Sequence, residues 1–139
     1  MDNDHLKPLS ALHIWEDNYN KGDVDAIALS IRRFGFNNAP RLWTDNEVRG
    51  GNHTTKALMQ IKAEGPKPTI DKSFPPQNVV EQDGEWFIPW VDIAHLDPLE
   101  ANAFAIADNE LARKAVRDDE LLLKYLNEIK VDAVMFEAT

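Results

Sequence analysis

Residues 47–58, EVRGGNHTTKAL, place two glycines between a strand-like run and the start of a helix. The first turn of a helix leaves backbone N–H groups without intrahelical acceptors, and the helix dipole adds partial positive charge there. Such an end attracts anions, and glycines let an anion come close to the backbone. Gly50 and Gly51 would supply that approach, Asn52, Thr54 and Thr55 would add side-chain donors, and His53 would add a donor or a charge. The chemistry assembled in this way is phosphate binding. The pattern is neither the phosphate loop that ends in Gly-Lys-Ser/Thr nor the dinucleotide fingerprint. The same residues also suit a plain turn into a helix with Asn52 as its N-cap, and the local pattern leaves both readings open.

Other groups with chemical potential are few. Glu16 and Asp17 sit in the polar loop EDNYNKGD, where a carboxylate could serve as a base for an attacking hydroxyl or water, or could simply be solvated. Asp23 and Asp25 fit a capping role and a favourable helix-dipole charge better than a catalytic pair. His5, His13 and His95 show no metal-ligand spacing. The absence of cysteine excludes disulfides, thiolate metal sites and cysteine nucleophiles. Trp15, Trp43, Trp86 and Trp90 read as core or edge packing.

The elements that would position these groups follow from periodicity. ALHIWEDN reads as a short strand with Leu12 and Ile14 on one face. In GDVDAIALSIRRFGF, Val24, Ile27, Ala28 and Ile31 form one helical stripe, with Asp23 as cap and Gly35 as terminator. APRLWTDNEVRGG reads as a hairpin turning at Asp45 and Asn46. NHTTKALMQIKAEG is a second helix with Thr54, Ala57, Leu58 and Ile61 inward, stopped by Gly65 and Pro66. The proline-rich residues 66–84 read as a long excursion with a short strand near 78–80. EWFIPWVDIAHL returns to strand, with a sheet edge or a break at Pro89. A third helix opens with Asp97 as cap, Pro98 in the first turn and Glu100 three residues on. DDELLLKYLNEIK is a final amphipathic helix with Leu122, Tyr125, Leu126 and Ile129 as its stripe. The expected fold is α+β, a small mixed sheet with packed helices, in one domain over residues 1–139 with its core at about 12–130.

The order of these motifs resembles the ParB/sulfiredoxin superfamily. Members carry an Asn-containing loop, a helix, a hairpin, a Gly-x-His-Arg or Gly-x-Arg-Arg motif opening a helix, and an acidic-Asn element further on. Here the loop is EDNYNKGD, the glycine motif is Gly51-Asn52-His53-Thr54, and the acidic element is Asp108-Asn109 in AFAIADNE. The resemblance implies a site for a nucleoside triphosphate, CTP or ATP, with Mg²⁺. Gly50, Gly51, Asn52, His53, Thr54 and Thr55 would hold its phosphates, and Ser30 and the GFNN turn would close the site. Asn18, Asn20 and Lys21 would lie at the base or sugar, Asp108 and Asn109 would reach the metal, and Glu16 and Asp17 would be the catalytic carboxylates. Hydrolysis of the nucleotide or transfer of its phosphate would be the reaction. Two departures stand out: Asn52 occupies the place of the sulfiredoxin cysteine, and His53-Thr54 replaces a pair of arginines that would grip phosphate bidentately.

Composition limits the alternatives. The net charge of −9 opposes a phosphate backbone, so direct DNA binding by this chain alone is not expected, nor is a nuclease or partition role. SIRRFG and LARKAVR are the only basic clusters, and they read as solvated helix faces. No apolar run is long enough to span a membrane, and the acidic N-terminus is unlike a secretory signal, so a cytoplasmic protein is expected. A non-catalytic interaction or regulatory module, with a protein partner and without the nucleotide, is the rival reading; a homodimer is left open.

Overall fold

The computed structural model describes residues 5–15, 23–113 and 118–130. Among these residues the fold is α+β, with four helices and two small sheets. No helix there is long and apolar enough to cross a membrane.

Helix α1, Val24–Phe34, starts where the Asp23 carboxylate accepts the Ala26 N–H, and it ends at Gly35, whose φ of 96° suits glycine. Ala28 and Ile31 are buried, with Val24 and Ile27 packed beside them, which is the expected stripe. Arg32 departs from the solvated face read from SIRRFG. It is buried, its Nη1 donates to both Asp71 carboxylate oxygens at 2.9 and 3.0 Å, and its Nη2 donates to the Gly65 carbonyl and to Glu64. A charge can be buried here because it is paired and its hydrogen bonds are made.

Strands β1, Lys7–Pro8, and β2, His13–Ile14, precede α1; β3, Arg41–Leu42, and β4, Glu47–Gly50, follow it. The β3–β4 hairpin turns through Asp45 and Asn46, both with positive φ near 60°, a conformation that Asp and Asn tolerate better than most residues. Strand β2 pairs in parallel with β4, and β3 pairs antiparallel with it. Helix α2, Asn52–Glu64, leaves β4 through Gly51 and ends at Gly65. Its inner face carries Asn52, Thr55, Ala57, Leu58 and Ile61, so Thr55 rather than Thr54 belongs to the buried stripe.

The proline-rich stretch is not one long excursion. Residues 66–78 lack regular structure, but β5, Val80–Gln82, and β6, Glu85–Ile88, form a hairpin across Asp83-Gly84, both with positive φ. Asp-Gly supplies the backbone geometry that a two-residue hairpin requires. The sheet order is β1-β6-β5. Pro89 marks the expected break: after it the chain enters β7, Val91–Asp92, at the edge of the other sheet, whose order is β2-β4-β3-β7. One core joins α1, α2 and both sheets, with Leu12, Phe36, Leu42, Val48, Leu58 and Trp86 among its buried members.

Helix α3, Pro98–Arg113, opens with a reciprocal cap in which Glu100 N–H donates to Asp97 and Asp97 N–H donates to Glu100. Ala101 and Ala105 are buried, small enough to let the helix sit close to β4. Helix α4, Asp119–Lys130, differs from expectation: its stripe residues Leu122, Tyr125, Leu126 and Ile129 remain 37–52% exposed.

Candidate functional site

A cleft of about 300 Å³ opens at the N-terminus of α2. Arg41 and Arg49 of the β3–β4 hairpin, Gly50, Gly51 and the first turn of α2 line it, with Ile27, Asn38 and Asp108 at its edges. The backbone is specialised at this point. Gly51 has φ 84° and ψ 28°, a left-handed conformation, and it rather than Asn52 is the helix N-cap. The first intrahelical bond runs from Thr55 N–H to the Gly51 carbonyl. The amides of Asn52, His53 and Thr54 therefore precede the regular ladder, in the position that favours an anion.

The side chains divide into those that can meet a ligand and those already committed. Asn52 is buried: its amide donates to the Val48 carbonyl at 3.0 Å, and its oxygen accepts the Trp15 N–H at 3.0 Å. It welds β2 to the β4–α2 corner and has a structural job, so its side chain is not the phosphate donor expected from the sequence. The Thr55 hydroxyl donates back to the Gly51 carbonyl at 2.7 Å and is fully buried, which likewise removes it as a donor to a ligand. His53 and Thr54 do line the cleft. Ser30 is exposed and is not part of the lining. Of the GFNN turn, Asn38 reaches the cleft, while Asn37 meets Asn78. Glu16, Asp17, Asn18, Asn20 and Lys21 lie outside the described residues, as does the Asn109 side chain and much of LARKAVR.

Two arginines that sequence reasoning missed supply the positive charge. A β-bulge pairs Leu42 with Val48 but Arg41 with Gly50, leaving Arg49 as the extra residue of β4. The Arg49 guanidinium lies 4.5 Å from the Trp15 ring centre and 4.7 Å from that of Trp43. Its Nε donates to Glu47, and its Nη1 donates to Asn102 of α3 at 2.6 Å. Arg41 donates through Nη1 to the Ala39 carbonyl at 3.1 Å and through Nη2 to Asp108 at 2.6 Å. The alternation of RLW and VRG in the sequence was the available signal for a shared arginine face, but the register shift that sets Gly50 rather than Arg49 opposite Arg41 has no local signature.

Asp108, read from the resemblance as a metal ligand, lines the cleft, and its partner there is Arg41. Among the described residues no group of three or more His, Asp or Glu side chains stands together. This donor set does not fit a protein-held metal; a Mg²⁺ ion bound mainly by phosphates needs only one or two carboxylates. A larger cavity, about 440 Å³, opens between Leu9, Ser10, Met59, Lys62, Ala63 and Glu85. It lacks the convergence of backbone amides and arginines, so the smaller cleft is the better candidate. No family model, curated protein or solved structure matches this chain.

Proposed function

We propose that this chain binds a nucleoside triphosphate, with its phosphates in the cleft at the start of α2. The observation that carries the reading is the convergence there of Gly50, the left-handed Gly51, the first-turn amides of α2, His53, Thr54 and two arginines. Backbone amides and guanidinium forks are what phosphate recognition uses. The order β2, α1, the β3–β4 hairpin and α2 is consistent with the ParB/sulfiredoxin resemblance. Arg41, the more exposed of the two, also offers a guanidinium in place of the arginines that His53-Thr54 lacks. Hydrolysis or phosphoryl transfer is the reaction class for such a ligand, with Glu16 and Asp17 as the carboxylates to test. Calorimetric titration with ATP, CTP and GTP, with and without Mg²⁺, is the direct test. Binding of at least one is expected, and no heat from any of them in folded protein sinks the reading.

A second reading has its own observation. Helix α4 exposes Leu121, Leu122, Leu123, Tyr125, Leu126 and Ile129, and α3 exposes Leu99 and Ile106. That much apolar surface suits a protein partner, as in an interaction or regulatory module. Two variants, each checked for folding, separate the readings in cells: Arg41→Gln removes a guanidinium from the cleft, and Leu122→Glu with Leu126→Glu spoils the apolar face. Loss of function in the first alone supports the nucleotide; loss in the second alone supports the module.

A further inference from the structure

We infer that Arg41 is the anion-binding side chain of this cleft and that Asp108 is its internal competitor, a carboxylate that holds the guanidinium until a phosphate takes its place. The inference rests on the nucleotide reading above and gives the site a built-in threshold. The bulge sets Gly50 opposite Arg41, and a Cβ at that position would stand 2.5 Å from Arg41 Nε and 2.8 Å from Nη2. The missing side chain is thus the space that the guanidinium occupies. Gly50 seats an arginine in the cleft, a role distinct from letting a ligand approach the backbone.

The two cleft arginines are not equivalent. The Arg49 side chain is 8% exposed and held between two indoles, whereas that of Arg41 is 24% exposed and its partner Asp108 36%. A ligand entering from solvent meets the Arg41–Asp108 pair first. Asp108 accepts a single hydrogen bond, from Nη2, and a phosphate oxygen can accept that same bond in its place, so one anion can replace the other without rebuilding the site. The pair is partly solvated and hence weak enough to be exchanged. The Ala39 carbonyl meanwhile keeps Nη1 in place. No atom is transferred in this step: Asp108 leaves Arg41, and a phosphate oxygen accepts the Nη2 proton's hydrogen bond instead.

The alternative role for Asp108, reaching a phosphate-held metal, predicts weaker binding in Mg²⁺ once its charge is removed, so the Mg²⁺ arm separates the two roles. The test is calorimetric titration of the full chain and its variants with ATP and CTP, in EDTA and again in Mg²⁺, with folding checked by circular dichroism. Asp108→Asn is expected to bind about two- to fivefold more tightly than the parent, in EDTA and in Mg²⁺ alike, the range set by a partly exposed ion pair. Arg41→Gln is expected to abolish binding, and Arg41→Lys to restore part of it. Should Asp108→Asn misfold, Asp108→Ala serves in its place. Parent binding that is unchanged or weakened in the Asp108 variants overturns the competitor while leaving the nucleotide reading intact. Binding by the variants alone supports both. Silence from parent and variants alike overturns both.

Discussion

The Asn52 side chain illustrates how a residue typed as a ligand can be a strut. Its donor and acceptor are both used, one on Val48 and one on Trp15, and the group is buried. Truncation would strand a buried carbonyl and a backbone amide. Asn52→Ala is therefore expected to lose about 1–3 kcal/mol of stability in urea unfolding; a loss near zero would mean that water replaces the amide. Glu85 shows a smaller effect with a defined pH sign. Desolvation acts to raise its pKa, but the Ser10 hydroxyl and amide, Lys62 and the Trp86 amide outweigh it, and the net shift is downward. A lowered folded pKa contributes stability above the unfolded value and loses it as pH falls through the folded value. Ser10→Ala should thus cost about 0.5 kcal/mol at neutral pH, as suits an exposed hydrogen bond, with the gap to the parent closing in acid below the ordinary carboxylate range. A gap that persists unchanged at low pH would assign the loss to Ser10 packing instead.

Among the elements, the corner from β4 into α2 depends on two glycines for different reasons. Gly51 needs its positive φ to enter the helix, whereas Gly50 has no such backbone demand and gives up its side chain to Arg41. A methyl at position 50 meets only the far end of a flexible side chain, which can swing away. Gly50→Ala is expected to fold with a stability change under about 1 kcal/mol, in the range of substitutions that strain no backbone. It should nevertheless weaken nucleotide binding by displacing the guanidinium. Melting temperature and calorimetry on the same sample decide it, and retained affinity would show that Arg41 does not need this seat.

Across the whole molecule, Arg32 is the tie between distant parts. It draws together α1, the end of α2 at Gly65, and Asp71 of the irregular stretch, whose carboxylate is also buried and accepts the Lys67 N–H. Removing one member leaves an uncompensated charge in a place closed to water. Arg32→Met should cost about 3–5 kcal/mol, a large share of a domain's typical stability. Adding Asp71→Leu should recover part of that loss, because no orphan charge remains. Chemical denaturation of the single and double variants reads this directly; a double variant worse than the single would point to packing, not charge.

Local signals in the chain determined the helices, their caps at Asp23 and Asp97, the hairpin turn at Asp45-Asn46 and the glycine entry into α2, because each depends on residues within a turn or two of one another. Asp83-Gly84 carried an equally local hairpin signal, obscured by the prolines before it. The identity of the cleft's charged groups was of another kind. Arg41 meets Asp108 across 67 residues and Arg49 meets Asn102 across 53, both on α3 where it packs on β4. The Asn52 oxygen is taken by the Trp15 N–H, 37 residues away, a partner that exists only where the residue after β2 packs against the β4–α2 corner. Spacing along the chain places donors at a helix end; whether each donor faces a ligand or another part of the protein depends on which distant residue packs against it, and tertiary structure alone decides that.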